Sequence, residues 1–273
     1  VKLKPLLRRW RQFLANRGVP ATLSALVRGV ARRWLPTVFG QSPASELWRN
    51  ADATPIVVHP FDARYGTETG GLIWGEELPT GHRHDVWNTA YYGIAPSAFV
   101  EALRLLSERA ALDMSEFTFI DLGSGKGRAV LLAAQYPFAR VVGVELAPQL
   151  YEVAVANLAR FPANERLAGI VEFKLADASE FPWGESLAGP LLLFLYNPFS
   201  RPVLEKFLAR LHASLLDRPV YVLYVNPELD AVLARQPWIE KLWEDTIFIG
   251  EADQLADRFG STTESVAAYR CSM

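Results

Sequence analysis

The sequence predicts a doubly wound α/β domain, a mostly parallel sheet of seven strands with helices on both faces. Three observations carry this expectation. An apolar run, Phe117 to Ile120, ends in Asp121, and three glycines follow at alternate positions, Gly123, Gly125 and Gly127, before the helical pattern Ala129 to Ala134. Strand, tight glycine turn and helix is how such a sheet opens a nucleotide-type site. Apolar strand patterns then alternate with helical ones, which implies parallel strands joined by crossover helices. Finally, Asp121, Glu145, Asp177 and Asn197 each stand directly after a strand pattern. The ligand crevice of an open α/β sheet lies at those strand ends.

The chain has 273 residues, half of them hydrophobic, enough to bury a sizeable core. Its net charge of −2 alone predicts no polyanion partner, but the charge is unevenly placed. Residues 1–45 carry nine Lys and Arg and no acid, leaving 19 basic against 30 acidic residues beyond them. Within this arm, Leu3, Leu6, Leu7, Trp10, Phe13 and Leu14 recur at helical spacing among arginines, and a second helix is expected from Pro20 or Ala21 to Leu35. A basic amphipathic arm can pack on the domain behind it or on a second subunit, lie on an anionic membrane surface through residues 1–35, or act as a targeting address. Cys271 is the one cysteine, which excludes an intrachain disulfide and a cysteine metal cluster and fits a reducing, cytoplasmic compartment. No apolar run reaches the ~20 residues of a membrane span.

Residues 46–90 read as an irregular, aromatic and glycine-rich lid, because a loop this long is usually functional or a cover. His82, His84 and Asp85 lie in it, with metal ligation, a substrate role and simple solvation as the readings. The domain proper is expected over 91–273. Tyr91 to Ser97 leads into a helix that starts at Pro96 or Ser97 and buries Phe99, Leu103 and Leu106. The helix after the glycines is expected to run to about Tyr136, where Pro137 stops it. Strands follow at Arg140–Leu146, Ile170–Leu175, Leu191–Tyr196 and Val220–Val225, with helices at Pro148–Arg160 and Val203–Leu215. A short helix is expected over Glu228–Arg235 and a polar helical piece over Glu251–Phe259. The last two strands, Leu242–Ile249 and Glu264–Cys271, lack a long crossover between them and suggest an antiparallel edge pair.

The glycine turn matches neither phosphate signature. A dinucleotide fingerprint would place its third glycine at Arg128, and a P-loop would place its first at Ile120. Asp121 beside the turn is unfavourable for a pyrophosphate and suits a cation such as an ammonium or a sulfonium. The run D-L-G-S-G-K-G, with Glu145, Asp177 and N-P-F behind it, resembles the class I S-adenosylmethionine-dependent methyltransferases over roughly residues 90–230.

That resemblance implies S-adenosyl-L-methionine as cofactor and no metal. It implies that Asp121, Gly123, Ser124, Gly125 and Gly127 hold the methionine part, Glu145 and Leu146 the ribose, and Asp177 with Ala178 the adenine. Asn197, Pro198 and Phe199 would face the transferred methyl and carry catalysis. Tyr91 to Ser97 resembles the cofactor-covering segment of some lysine methyltransferases, which adds Tyr91. The motif is one proline short of the [N/D]-P-P-[Y/F] common in amine and amide methyltransferases, and Asn226-Pro227 repeats it after the next strand, so a plain strand-ending turn is the alternative for Asn197.

An activated methyl needs alignment above all, and an amine acceptor must shed its proton. Asn197 ranks first for that task, ahead of Tyr196, Tyr65, His82 and His84. The expected reaction is N-methylation of a protein or peptide side chain. A small-molecule O- or N-methyltransferase and a non-catalytic binding module are the rivals. A nucleic-acid acceptor is disfavoured by the acidic charge outside the arm. The sequence does not set the oligomeric state.

Overall fold

Strand β3 (Thr118–Leu122) is buried at all five residues, with β4 (Arg140–Glu145) and β6 (Leu191–Tyr196) parallel to it on either side. Burial on both faces is why it reads as a continuous apolar run. Phe119 points to one face, where it meets Phe99 of α2 (Pro96–Ala110) and Phe194 of β6, with ring centroids 5.3–5.9 Å apart. Ile120 and Leu122 point to the other face, into a cluster with Leu204, Phe207 and Leu211 of α5 (Arg201–Ser214).

The computed structural model describes residues 58–82, 85, 89–181, 187, 189–214, 218–256 and 261–272, which fall in one unit, Val58–Met273. The basic arm 1–45 and residues 46–57 lie outside the described residues, as does His84. No described helix is long and apolar enough to cross a membrane.

The expected doubly wound sheet is present. Its strand order is β5 (Ile170–Leu175), β4, β3, β6, β7 (Val220–Val225), β9 (Thr263–Cys271), β8 (Ile239–Phe248). The first five run parallel, and β9 is antiparallel to both β7 and β8. The last two strands do pair antiparallel, but β9 is inserted inside and β8 forms the edge. Strand β8 starts three residues earlier than expected, because Ile239 to Lys241 pair with β9 across a register shift between Lys241 and Trp243. That bulge breaks the period-2 pattern on which a sequence boundary depends.

Helix α3 (Arg128–Ala133), which follows the glycine turn, is shorter than its apolar pattern implies. The carbonyl of Ala134 accepts hydrogen bonds from Leu167 and Ala168, which draws the chain out of the helix before Pro137. Helix α4 (Pro148–Arg160) and strands β5, β6 and β7 occupy the predicted spans. Two short helices complete the unit, α6 (Asp230–Leu233) and α7 (Glu251–Ala256).

The described residues of 58–90 hold more regular structure than a loop. They contain α1 (Pro60–Tyr65) and a strand β1 (Leu72–Ile73) that pairs antiparallel with β2 (Tyr91–Tyr92). This segment is fastened to the core by Arg128. Its guanidinium donates to Thr69 Oγ1 at 2.7 Å and to the Ile94 carbonyl at 3.2 Å, and reaches Asp62 Oδ2 at 3.4 Å. Burial pushes the Asp62 carboxyl up, but hydrogen bonds from Thr69 and Thr67 and the charge of Arg128 more than offset this and hold it below its usual value. Both partners of the pair are 5% exposed at their side chains. Breaking a buried pair from one side leaves an uncompensated charge. Arg128→Met is therefore expected to destabilise the unit by about 3 kcal/mol, read as a lower urea midpoint. An unchanged midpoint would show that the pair holds nothing in place.

Candidate active site

The glycine turn carries Asp121 and the N-terminus of α3 to the carboxyl edge of the sheet. Side-chain alternation places Asp121 on the same face as Phe119, and Glu145 of β4 on the face of Val141. The two acids thus stand on adjacent strands, on one face and at one edge. Between them Gly125 N–H donates to Glu145 Oε2 at 2.7 Å, and Ala147 N–H to Oε1 at 2.8 Å.

These residues open onto a crevice with a cavity volume of about 130 Å³ that is continuous with solvent at its mouth. Asp121, Gly123, Ser124, Gly125, Glu145 and Leu146 line it. Asp177 and Ala178 line it after β5, Pro198 and Phe199 after β6, and Tyr91 from β2. The structure thus brings most of the predicted residues into one cavity.

Two predicted residues are not brought there. Gly127 is not among the lining residues. Phe173 packs on it, with the ring edge 2.6 Å from where a Cβ would stand, so this glycine serves helix–sheet packing. Asn197 does not line the crevice either. It takes φ +50°, a left-handed turn that asparagine tolerates, and its Oδ1 accepts from the Tyr224 phenol at 3.1 Å. Asn226 ends β7 the same way, at φ +52°. The repeated Asn-Pro is a strand-ending turn in both places, and the catalytic role expected of the Asn197 side chain has no geometric basis. Tyr65, another candidate, is packed against Phe161 with its phenol donating to Glu165, away from the crevice.

Strand β2 and the segment before it also reach the site. Tyr91 Oη donates to the Thr69 carbonyl at 2.6 Å, and its ring lies where a Cβ on Gly125 would be, 2.2 Å away. The glycines of the turn thus admit this chain's own side chains, with Pro198 against Gly123 in the same manner. His82 Nε2 stands 3.9 Å from Asp177 Oδ2. Asp85 closes the turn before it by accepting from Thr80 and Gly81. Sequence reasoning missed Arg128, Asp62 and Thr69, whose partners lie too far apart in the chain to leave a local pattern.

The electrostatics favour one sign of ligand charge. Burial, reinforced by Glu145, raises the Asp121 carboxyl to about 8. Burial also raises Glu145, partly countered by the backbone N–H groups of Ala147 and Gly125. Two desolvated carboxylates at one edge favour a cation with hydroxyl donors. The Oγ atoms of Ser124 and Ser200, both lining the crevice, are buried without a hydrogen-bond partner among the described residues. Buried hydroxyls left unpaired are costly, so they call for a polar ligand. The residues present fit an amino-acid-bearing nucleoside cation.

No family model and no curated protein matches the chain. Among solved structures, it is 21% identical to a protein from Pyrococcus horikoshii assigned provisionally as an RNA methyltransferase, over 64% of this chain and 84% of that one, with a TM-score of 0.44. It is 24% identical to an RNA methyltransferase from Salinibacter ruber in complex with S-adenosyl-L-homocysteine, over 63% and 91%, with a TM-score of 0.39. It is 14% identical to the plantazolicin methyltransferase BpumL, over 63% and 85%, with a TM-score of 0.39. The chain has a doubly wound, Rossmann-like α/β fold built on a seven-stranded, mostly parallel sheet. At these scores the likenesses carry nothing about the site, whose reading rests on the residues of this chain.

Proposed function

We propose that this chain is an S-adenosylmethionine-dependent methyltransferase that methylates a nitrogen. The observation that supports it is the placement of Asp121 and Glu145 on one face at adjacent strand ends, with the glycine turn between them. In this reading Asp121 faces the cationic methionine end, Glu145 accepts the ribose hydroxyls, and Asp177 with Ala178 receives the adenine. The cofactor supplies an activated methyl on sulfur. The protein's task is to exclude water, align the acceptor and receive a proton.

A protein or peptide side chain is the proposed acceptor. The RNA methyltransferases among the structures compared make a nucleic-acid amine the alternative, despite the acidic charge outside the arm. Calorimetry with S-adenosylmethionine tests the cofactor reading, with binding in the micromolar range expected and no heat at ~1 mM overturning it. Transfer of label from methyl-tritiated cofactor into a cell lysate treated with ribonuclease or with protease then separates the acceptors. Label that survives ribonuclease and is lost to protease is the expected result.

A further inference from the structure

The crevice has a second polar end that the cofactor reading leaves unused. Tyr196, the last residue of β6, lines the crevice, and its Oη donates to Glu264 Oε1 at 3.1 Å. Register and alternation put both on the face of Asp121. Phe194 pairs with Asp121, and Tyr196 lies two residues beyond it on the same side. Val225 pairs with Val266, both in the cluster under α2 and α3, and Glu264 lies two residues before Val266 in β9. Glu264 is 8% exposed, and Asn226 Nδ2 donates to its other oxygen. A smaller cavity lined by Glu264 adjoins the crevice and shares Tyr92 and Arg128 with it as walls. Along the carboxyl edge, therefore, Glu145 and Asp121 mark one end, and Tyr196 backed by Glu264 marks the other.

We propose that Tyr196 and Glu264 form the seat of the acceptor nitrogen, and that the acceptor is an amine that arrives as an ammonium. Tyr196 is the catalytic residue and Glu264 a positioning residue that acts through it. This inference rests on the methyltransferase reading and replaces Asn197 in it. Burial and the neighbouring Glu264 hold the Tyr196 phenol well above its usual value, so the hydroxyl stays protonated and works as a relay. One ammonium proton passes to Tyr196 Oη as the phenol's own proton passes to the Glu264 carboxylate. The neutral amine then attacks the methyl carbon. The N–C bond forms, the S–C bond breaks, and its electron pair stays on sulfur. The product leaves as a methylammonium, and Glu264 returns its proton to solvent.

The test needs no acceptor. Sinefungin carries an amine where the cofactor carries its sulfonium methyl, and S-adenosylhomocysteine carries nothing there. Calorimetry on the full chain is expected to show sinefungin binding more tightly than S-adenosylhomocysteine. Glu264→Gln and Tyr196→Phe should each cut that preference about tenfold, the effect of a lost hydrogen bond to a charged group. S-adenosylhomocysteine affinity should stay within about twofold, which also certifies the fold of each variant. A purely structural role would move both ligands together. An unchanged preference, with S-adenosylhomocysteine still bound, overturns the seat alone. Failure of wild-type protein to bind either ligand overturns the cofactor reading and the seat with it.

Discussion

Asp121→Asn is expected to remove most cofactor affinity and, at the same time, to make the unit more resistant to heat at alkaline pH. The carboxyl titrates at about 8 in the ligand-free fold against 3.8 for an ordinary aspartate. The folded state therefore holds one more proton than the unfolded state between those values, so wild-type stability falls as pH rises from about 4 to about 8. The asparagine variant lacks this slope. Its advantage in melting temperature should be absent near pH 4, grow through neutrality and level off above pH 8. Binding runs the other way. A cationic ligand needs the carboxylate, so wild-type affinity for S-adenosylmethionine should rise with pH up to about 8, by as much as roughly tenfold per unit. Protons should be released on binding below that pH, detectable as a buffer-dependent calorimetric enthalpy. The variant should bind roughly 10–100-fold more weakly, the loss of a charge-assisted contact. A variant that binds normally, or that melts lower than wild type at pH 9, would contradict the role given to Asp121.

Among the described glycines, Gly125→Ala should be the most damaging added methyl. The residue sits at φ +55°, and an added Cβ would stand 2.2 and 2.3 Å from Cε2 and Cδ2 of the Tyr91 ring. Strain in the left-handed region costs about 1–2 kcal/mol, and displacement of a packed ring adds to it. A total near 3 kcal/mol is expected, with loss of cofactor binding as Tyr91 is pushed off the crevice. The steric part is separable. Adding Tyr91→Ala to Gly125→Ala removes the clash but not the backbone strain, so the double variant should be more stable than the sum of the single effects predicts. A double-mutant cycle that closes additively would show that ring and glycine do not meet.

What the sequence discloses, and what it hides, follows from distance along the chain. Strands β6 and β7 are legible because each is a short apolar run closed by Asn-Pro, β5 because its residues alternate, and helix α4 because Pro148 starts it. Asp121 and Glu145 are legible because a parallel sheet sends every strand end to one edge. Arg128 reads in sequence only as a missing glycine. Its function depends on Asp62 and Thr69, 66 and 59 residues away. Glu264 carries one local signal, an acid in phase with Val266 and Ala268 on the inward side of its strand, but its partner Tyr196 is 68 residues distant. Asn197 misleads for the opposite reason. Its motif is local and familiar, whereas its left-handed backbone points the amide at Tyr224.

The place of β9 has a consequence for how the protein is made. It follows every other strand in chain order yet lies inside the sheet, between β7 and β8. Until it has left the ribosome, β8 has no strand to join, whereas β3, β4, β5, β6 and β7 already have neighbours. Synthesis proceeds from the N-terminus at about 5–20 residues per second. The nascent chain should therefore acquire the glycine turn, Asp121 and Glu145 while Glu264 is still untranslated.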